Sequence, residues 1–348
     1  MNSNRILVGM SGGVDSSVAA LLLKNGGFDI AGVTLSLYNG EKCGSSKDIE
    51  DAAAVCKKLG LEHFVFDFKD KFEAAVINKF ISEYQRGNTP NPCIECNKHI
   101  KFGAMLDAAN GEGYGKIATG HYAVIKKQGD RFVVSKPKDK AKDQSYVLYS
   151  LSQQQLSNTL MPLGELTKAE VRELAEQNGL ITAHKSDSQD ICFVPDGDYA
   201  KFIEDWCGFK FENGNFVDLE GNVIAQHKGI INYTIGQRKG LGIAAKAPYY
   251  VVGKNLSTNE VVLGSNDDLF SCTLTATDVN LISIDKLTEP MRVKAKVRYK
   301  QKETDATISP LQNGDVSVVF DEPQRAIASG QAVVFYDGDI VVGGGTIV

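Results

Sequence analysis

No apolar run in the 348 residues approaches the ~20 that a helix needs to cross a bilayer. The N-terminal stretch MNSNRILVGMSGG carries one Arg and then a buried-strand pattern, in place of the basic, apolar and small-residue regions of a signal peptide. Both absences point to a cytoplasmic protein with no membrane partner. Positive charge is also short: 38 Lys and Arg face 43 Asp and Glu, for a net charge of -5. The molecule as a whole therefore exerts no pull on nucleic acid, and any RNA affinity has to come from a local basic surface. No internal repeat and no low-complexity tail interrupts the chain. Seven cysteines, an odd number without a secretion signal, argue against a structural disulfide framework, so those with a task are expected to be redox-active, ligating or nucleophilic. The remainder is ordinary for a globular protein, 43% hydrophobic and 23% charged, and long enough for two or three cores.

The first half alternates short apolar runs (RILVGM, FDIAGVTLSLY, HFVFDF) with helical patterns (SVAALLLKNGG, DIEDAAAVCKKLG, KFEAAVINKFISEY), the order of a parallel sheet with helices on its faces. Lys24 to Gly27 reads as a helix C-terminus, and TKAEVRELAEQNG opens on Thr167 and Glu170 as a capping box and closes at Gly179. From Asp196 the texture changes to hairpin-like FENGNFVDLEGNVIAQHKG and glycine-rich YTIGQRKGLGI, a smaller unit. After about residue 270, runs such as VSVVF and QAVVFY are separated by Asn-Gly and Asp-Gly turns, and a small β-barrel is the closed solution that hides their edges. The expected divisions are 1–195, an α/β nucleotide-binding domain, 196–269, a central domain, and 270–348, a barrel.

Strand, loop and helix meet at RILVGMSGGVDSSVAALLL. Adjacent Gly12 and Gly13 let backbone N–H groups turn toward an anion, Ser11, Ser16 and Ser17 add hydroxyl donors, and the helix N-terminus adds positive potential: a phosphate cradle. It lacks the Gly-Lys-Ser/Thr ending of a Walker loop, which disfavours an ordinary kinase or GTPase mechanism. Asp15 is the nearest carboxylate for a magnesium ion, or else a helix N-cap.

NPCIECNK, residues 91 to 98, places Cys93 and Cys96 three apart, a spacing that serves a metal, a disulfide cycle or a sulfur nucleophile. Lys98 and a helix beginning near Asn97 would lower the pKa of Cys96. Cys56 reads as core, Cys207 and Cys272 as packing residues, and Cys43 as an exposed loop thiol. In MRVKAKVRYKQK, Arg292, Lys294, Lys296, Arg298, Lys300 and Lys302 fall on every second position, so a strand would project all six from one face, as an RNA-binding ribbon or as protection of a free edge.

Ser11 to Ser16 resemble the pyrophosphate loop of the N-type ATP pyrophosphatases, which activate a carbonyl or carboxyl oxygen as an adenylate. TPNPCIECNKHIKFG, ATGHYA, KDQSYVL, ICFV, YTIGQRKGLGI and VRYKQ, in order along nearly the whole chain, resemble the tRNA-uridine 2-sulfurtransferase (tRNA-specific 2-thiouridylase) family. The resemblance implies thiolation of the wobble uridine of the tRNAs for Lys, Glu and Gln, with ATP and Mg2+. It implies a nucleotide site of Gly9, Met10, Ser11, Gly12, Gly13, Val14, Asp15, Ser16, Leu35 and Gly120. The catalytic cysteines would be Cys96 and Cys192, fed by a cysteine desulfurase or a sulfur-relay protein. Asn91, Pro92 and Cys93 would line the target base, with His121, Lys142, Asp143, Gln144, Arg298, Tyr299 and Gln331 toward the tRNA; for His121 a structural role is the other reading. Many relatives carry Asp where this chain has Cys93. With Cys96 and Cys192 it would give three ligands for a [4Fe-4S] cluster, and the cluster and persulfide routes both stay open. The competing readings are another ATP-pyrophosphatase ligase or amidotransferase, for which no glutaminase segment is present, and a noncatalytic RNA-binding protein, which leaves the Ser11 loop unexplained.

Overall fold

The computed structural model describes residues 5–38, 44–186, 191–194 and 196–348; Cys43 lies outside them. Its first sheet is wholly parallel, in the order β3-β2-β1-β4-β7: β1 (Arg5–Gly9), β2 (Asp29–Ser36), β3 (His63–Asp67), β4 (Lys116–Ala118) and β7 (Thr159–Leu160). Both faces are covered, and the period-two alternation of β1 shows how. Ile6 and Val8 pack with Val18 of α1 (Val14–Asn25) and Val55 of α2 (Ser46–Leu59), while Leu7 belongs to the opposite layer with Phe72, Phe80, Ile100 and Met105. That second layer contains two helical runs, α3 (69–85) and α4 (92–111). Each contains a π-helical turn, Glu73–Ile77 in α3 and Cys96–Ala104 in α4. The expected helix at Thr167 is α5 (Lys168–Gln177), with its capping box formed.

The central unit pairs β8 (Gly214–Val217) and β9 (Val223–His227) as a hairpin, extended by β10 (Tyr250–Asn255) and β11 (Glu260–Gly264) in the order β10-β11-β8-β9. Its helix α6 (Tyr199–Cys207) sends Phe202 against Phe193, at 5.3 Å between ring centroids. The last six strands are β12 (Phe270–Leu281), β13 (Met291–Lys296), β14 (Thr304–Pro310), β15 (Val316–Arg325), β16 (Ala332–Asp337) and β17 (Ile340–Ile347). They close into a barrel through pairing of β12 with β17. A hairpin from the N-terminal unit, β5 (Val124–Gln128) and β6 (Arg131–Ser135), joins β17 at Ser135 and Ile340. Sheet hydrogen bonding thus runs from the nucleotide-binding unit into the barrel.

The six-cation ribbon is not formed. β13 ends at Lys296, so Arg298, Lys300 and Lys302 lie beyond the strand. Arg292 donates to both oxygens of Asp321 at 2.8 and 2.7 Å, and Lys294 to its cross-strand neighbour Asp305 at 3.0 Å. Lys296 is 8% exposed, beside the rings of Tyr146 and Tyr336. Strand register placed carboxylates beside two of the cations and the domain junction over a third, partners that a period-two reading of one strand cannot see. Cys272, expected to pack, is exposed, whereas Cys56 is buried as expected.

One close approach fixes the sheet against the first helix. A Cβ on Gly120, just beyond β4, would sit 2.7 Å from Asp15 C and 2.8 Å from Ser16 N, both main-chain atoms of α1. Gly120→Ala should therefore destabilise the fold by about 1–3 kcal/mol, read as a lowered denaturation midpoint; an unchanged midpoint would show that α1 can shift freely.

Candidate active site

β1 lies between β2 and β4, so the chain leaves the sheet in opposite directions from β1 and β4 and opens a crevice at their carboxyl ends. Gly9 to Ser16, Leu35 near the end of β2 and Gly120 after β4 all converge there. Met10 is buried, its N–H bonded to Val33 O at 2.7 Å and its carbonyl to the Thr34 hydroxyl at 2.9 Å. Gly12 adopts φ +68° with its Cα facing the Asp48 backbone, so only glycine fits the turn. Ser16 Oγ accepts from Ser11 N at 3.1 Å, and the Ser16 and Ser17 hydroxyls donate to Gly13 O at 3.1 and 2.8 Å. Gly13 is the N-cap of α1 and supplies no side-chain cap, leaving the first-turn N–H groups to an anion.

Asp15 is therefore not the cap. Its carboxylate accepts the Tyr122 hydroxyl at 2.8 Å and pairs with Lys168 at 2.7 and 2.8 Å. Sequence reading missed Lys168: it lies more than 150 positions away and nothing local marks it. Lys185 likewise pairs with Asp48 and Asp51 of α2, both at 2.9 Å, tying the segment after α5 to the loop's floor. Tyr122 joins this side to the 142–144 string, because its N–H donates to Gln144 Oε1 at 2.8 Å and its carbonyl accepts Gln144 N at 3.0 Å. Asp143 accepts from Ser145 N at 2.9 Å, and Lys142 closes the short turn Lys140–Lys142. His121 is buried, its Nδ1 2.8 Å from the Thr119 hydroxyl and its ring against Phe102. Burial, with Lys101 adding to it, holds its pKa well below the usual imidazole range, so it is neutral.

The cysteines sit on α4, which starts at Pro92 rather than near Asn97. Asn91 caps it by accepting Cys93 N at 3.1 Å, and Pro92 occupies the first turn. Cys93 and Cys96, three apart, share one face. Cys93 reaches solvent, yet the surrounding protein raises its pKa; Cys96 is enclosed and burial pushes its thiol up to about 12. The expected lowering is thus reversed: Cys96 lies past the first turn, where desolvation outweighs any nearby cation. The cation acting on both thiols is Lys101, not the exposed Lys98. In an α-helix His99 and Ile100 would be the neighbours of Cys96; i→i+5 bonding in the π-helical turn brings residue 101 toward it. Cys192, on the segment anchored by Phe193 against Phe72 and Phe80, is half-buried and close enough for its charge to act on both Cys93 and Cys96. No disulfide joins the six described cysteines to one another. Among the described residues, no three His, Cys, Asp or Glu side chains are gathered to hold a metal ion.

Tyr299, 37% exposed, comes from the barrel to the same place: Cys93 and Asp143 both act on its hydroxyl, and its ring lies 5.8 Å from Tyr146. Arg298 beside it is exposed. Gln331 instead braces the junction, donating to Thr89 O at 2.6 Å. Asn91 and Pro92 also line a cavity of about 450 Å³ against the barrel, whose walls do not include Cys93, Cys96 or the phosphate loop.

Three family descriptions match the chain: a tRNA methyl transferase HUP domain over residues 4–196, a tRNA methyl transferase PRC-barrel domain over 200–265, and an aminomethyltransferase beta-barrel domain over 271–347. The tRNA-specific 2-thiouridylase MnmA of Acetivibrio thermocellus is 51% identical over 358 residues, covering 100% of both chains. That of Clostridium botulinum (strain Alaska E43 / Type E3) is 50% identical over 355 residues, covering 100% of this chain and 98% of its own. Among solved structures, the U34-tRNA thiolase NcsA from Methanococcus maripaludis with its [4Fe-4S] cluster aligns at 21% identity and a TM-score of 0.37, over 59% of this chain and 66% of that one.

Because Cys96 stays protonated near neutrality, its alkylation, followed by mass spectrometry of the modified peptide, should rise about tenfold per pH unit from pH 7 to 9. A plateau by pH 7 would mean a thiolate already stabilised.

Proposed function

The chain belongs to the tRNA-specific 2-thiouridylase family, and from that premise we propose that it replaces the O2 of the wobble uridine of tRNA with sulfur, using ATP. The observation that carries this reading is the juxtaposition at Lys101. Its charge reaches His121, next to the Gly120 that touches the phosphate loop, and also Cys93 and Cys96. That shared charge supports a nucleotide site beside a sulfur site.

Oxide is a poor leaving group, so the oxygen has to be activated first. The uridine O2 attacks the α-phosphorus of ATP and pyrophosphate leaves, with the loop from Ser11 to Ser16 and the free N–H groups of α1 stabilising the developing charge. Magnesium would screen the phosphates; Asp15 is the carboxylate at hand, already shared with Lys168 and Tyr122. The sulfur step is written for the two cysteines. A donor, a cysteine desulfurase or a relay protein, leaves a persulfide on Cys192. Its terminal sulfur attacks C2 and AMP departs with the original oxygen. Cys96 gives up its proton and attacks Cys192 Sγ, breaking the S–S bond: the sulfur stays on the base as the thiocarbonyl, and Cys96 and Cys192 are left as a disulfide that an external thiol reduces. The raised pKa of Cys96 keeps this resolving thiol unreactive until a base or bound substrate takes its proton. The three cysteines do not form a ready-made metal-ion ligand set, so no step is routed through a cluster. Asn91, Pro92 and Cys93 at the start of α4, with Tyr299, on whose hydroxyl Cys93 acts, would line the target base.

Cys96→Ala and Cys192→Ala should each abolish thiolation while tRNA binding survives; full thiolation by either variant would remove the pair from the mechanism. Purification without oxygen separates the two sulfur routes. A colourless protein that thiolates from a persulfide donor supports the pair, whereas a brown protein whose activity leaves with its iron would make Cys93, Cys96 and Cys192 cluster ligands.

A further inference from the structure

Residues 139 to 146 form a strap between the barrel and the phosphate loop, hydrogen-bonded on both sides. On the barrel side, Lys140 Nζ donates to Asp339 Oδ2, in the turn between β16 and β17, at 2.8 Å. Ser145 and Tyr146, both fully buried, continue the grip on β16: the Ser145 hydroxyl lies 3.3 Å from that of Tyr336, and the Tyr146 hydroxyl donates to Ala332 O at 2.7 Å. The Tyr146 ring is also 5.8 Å from that of Tyr299. On the other side, two arms reach one carboxylate. Gln144 holds Tyr122 through Oε1 and its own N–H, at 2.8 and 3.0 Å, and the Tyr122 hydroxyl donates to Asp15 at 2.8 Å. Asp139 accepts Ala141 N at 3.1 Å, which closes the short turn, and Lys168 N at 2.9 Å; the ammonium of the same lysine reaches Asp15 at 2.7 and 2.8 Å.

Asp15 lies in the first turn of α1, whose N–H groups have no side-chain cap. A carboxylate at that point repels an incoming phosphate unless its charge is countered and held aside, so the placement of Asp15 governs how well the loop receives ATP. Both arms that place it start from the segment that also grips the barrel. We propose that this strap couples the two substrates: Tyr122 and Lys168 are positioning residues that set the Asp15 carboxylate according to how tRNA engages the barrel and Tyr299, so that bound tRNA tightens the loop's hold on ATP. The inference rests on the tRNA-thiolation reading. It gives a task to the Tyr122 hydroxyl, on a residue 2% exposed and out of reach of RNA, and it suits a reaction in which ATP cleaved before the base is seated yields no product. Coupling of this kind is reciprocal, which makes it measurable as a ratio of affinities.

The test uses the full chain, a tRNA transcript and the α,β-methylene analogue of ATP, whose affinity is measured by calorimetry with and without saturating tRNA. In the wild type, tRNA should tighten the analogue about tenfold, and the analogue should tighten tRNA by the same factor. Tyr122→Phe removes one hydroxyl and keeps the ring; its ratio should fall to within about twofold of one, whatever happens to either affinity alone. Gln144→Ala should lose the ratio as well, and Gln144→Glu, which keeps the acceptor for Tyr122 N, should retain it even where its added charge weakens tRNA binding. A wild-type ratio of one overturns the coupling, as does a Tyr122→Phe ratio equal to that of the wild type, including the case in which both affinities fall together as a purely structural defect would make them. Single-turnover thiolation of the same transcript separates this inference from the reading beneath it. A wild type that binds tRNA and transfers no sulfur counts against the thiolation reading while the ratio still decides the coupling, and one that binds no tRNA overturns both.

Discussion

The grip on the N-terminus of α4 is the constraint on which the site depends. Before that helix begins, Thr89 is held by the barrel twice, its N–H donating to Ser329 O at 2.8 Å and its carbonyl accepting Gln331 Nε2 at 2.6 Å. The central unit holds the same turn from another side, where Lys254 donates to Gly87 O at 3.2 Å. Asn91 then caps the first turn, and Asn97 Nδ2 reaches Val147 O at 3.0 Å. Contacts from all three parts of the chain thus converge within a dozen residues of Cys93 and Cys96. Hydrogen bonds to a loop cost little sequence and fix position tightly, which a nucleophile on a helix start requires.

That placement sets the electrostatics. The phosphate loop keeps its helix N-terminus uncapped and polar, while Cys96 is packed so deeply that thiol, not thiolate, is its resting form. Separating a charged anion cradle from neutral sulfur suits a reaction in which oxygen must be activated before sulfur attacks. The π-helical turn adds Lys101 to the sulfur side, and the Gln155 side chain takes up the carbonyl of Lys98 at 2.8 Å within that turn. A π-turn in a helix that carries reactive residues is a recurring use of this rarer geometry.

Much of this was legible in the sequence because it is local. Glycines and hydroxyls between a strand and a helix have few other uses, so the loop and the parallel sheet could be read directly, as could the capping box at Thr167 and the turn-separated strands of the barrel. What escaped depends on partners distant in sequence. Asp15 meets Lys168 only after α5 folds back, and Asp305 and Asp321 reach Lys294 and Arg292 through sheet register. The state of Cys96 follows from the layers packed around α4, and Lys101 replaced Lys98 because the helix departs from α geometry, which spacing rules assume. The β5–β6 hairpin, joined to the barrel by one strand pair, was invisible for the same reason.

The account turns on the uridine oxygen leaving as part of AMP. Its most direct test is a tRNA transcript carrying 18O at O2 of the wobble uridine, thiolated in one turnover, with the AMP and pyrophosphate analysed by mass spectrometry. The account predicts one labelled oxygen in AMP for each sulfur gained. Label in water or pyrophosphate, with AMP unlabelled, would contradict it.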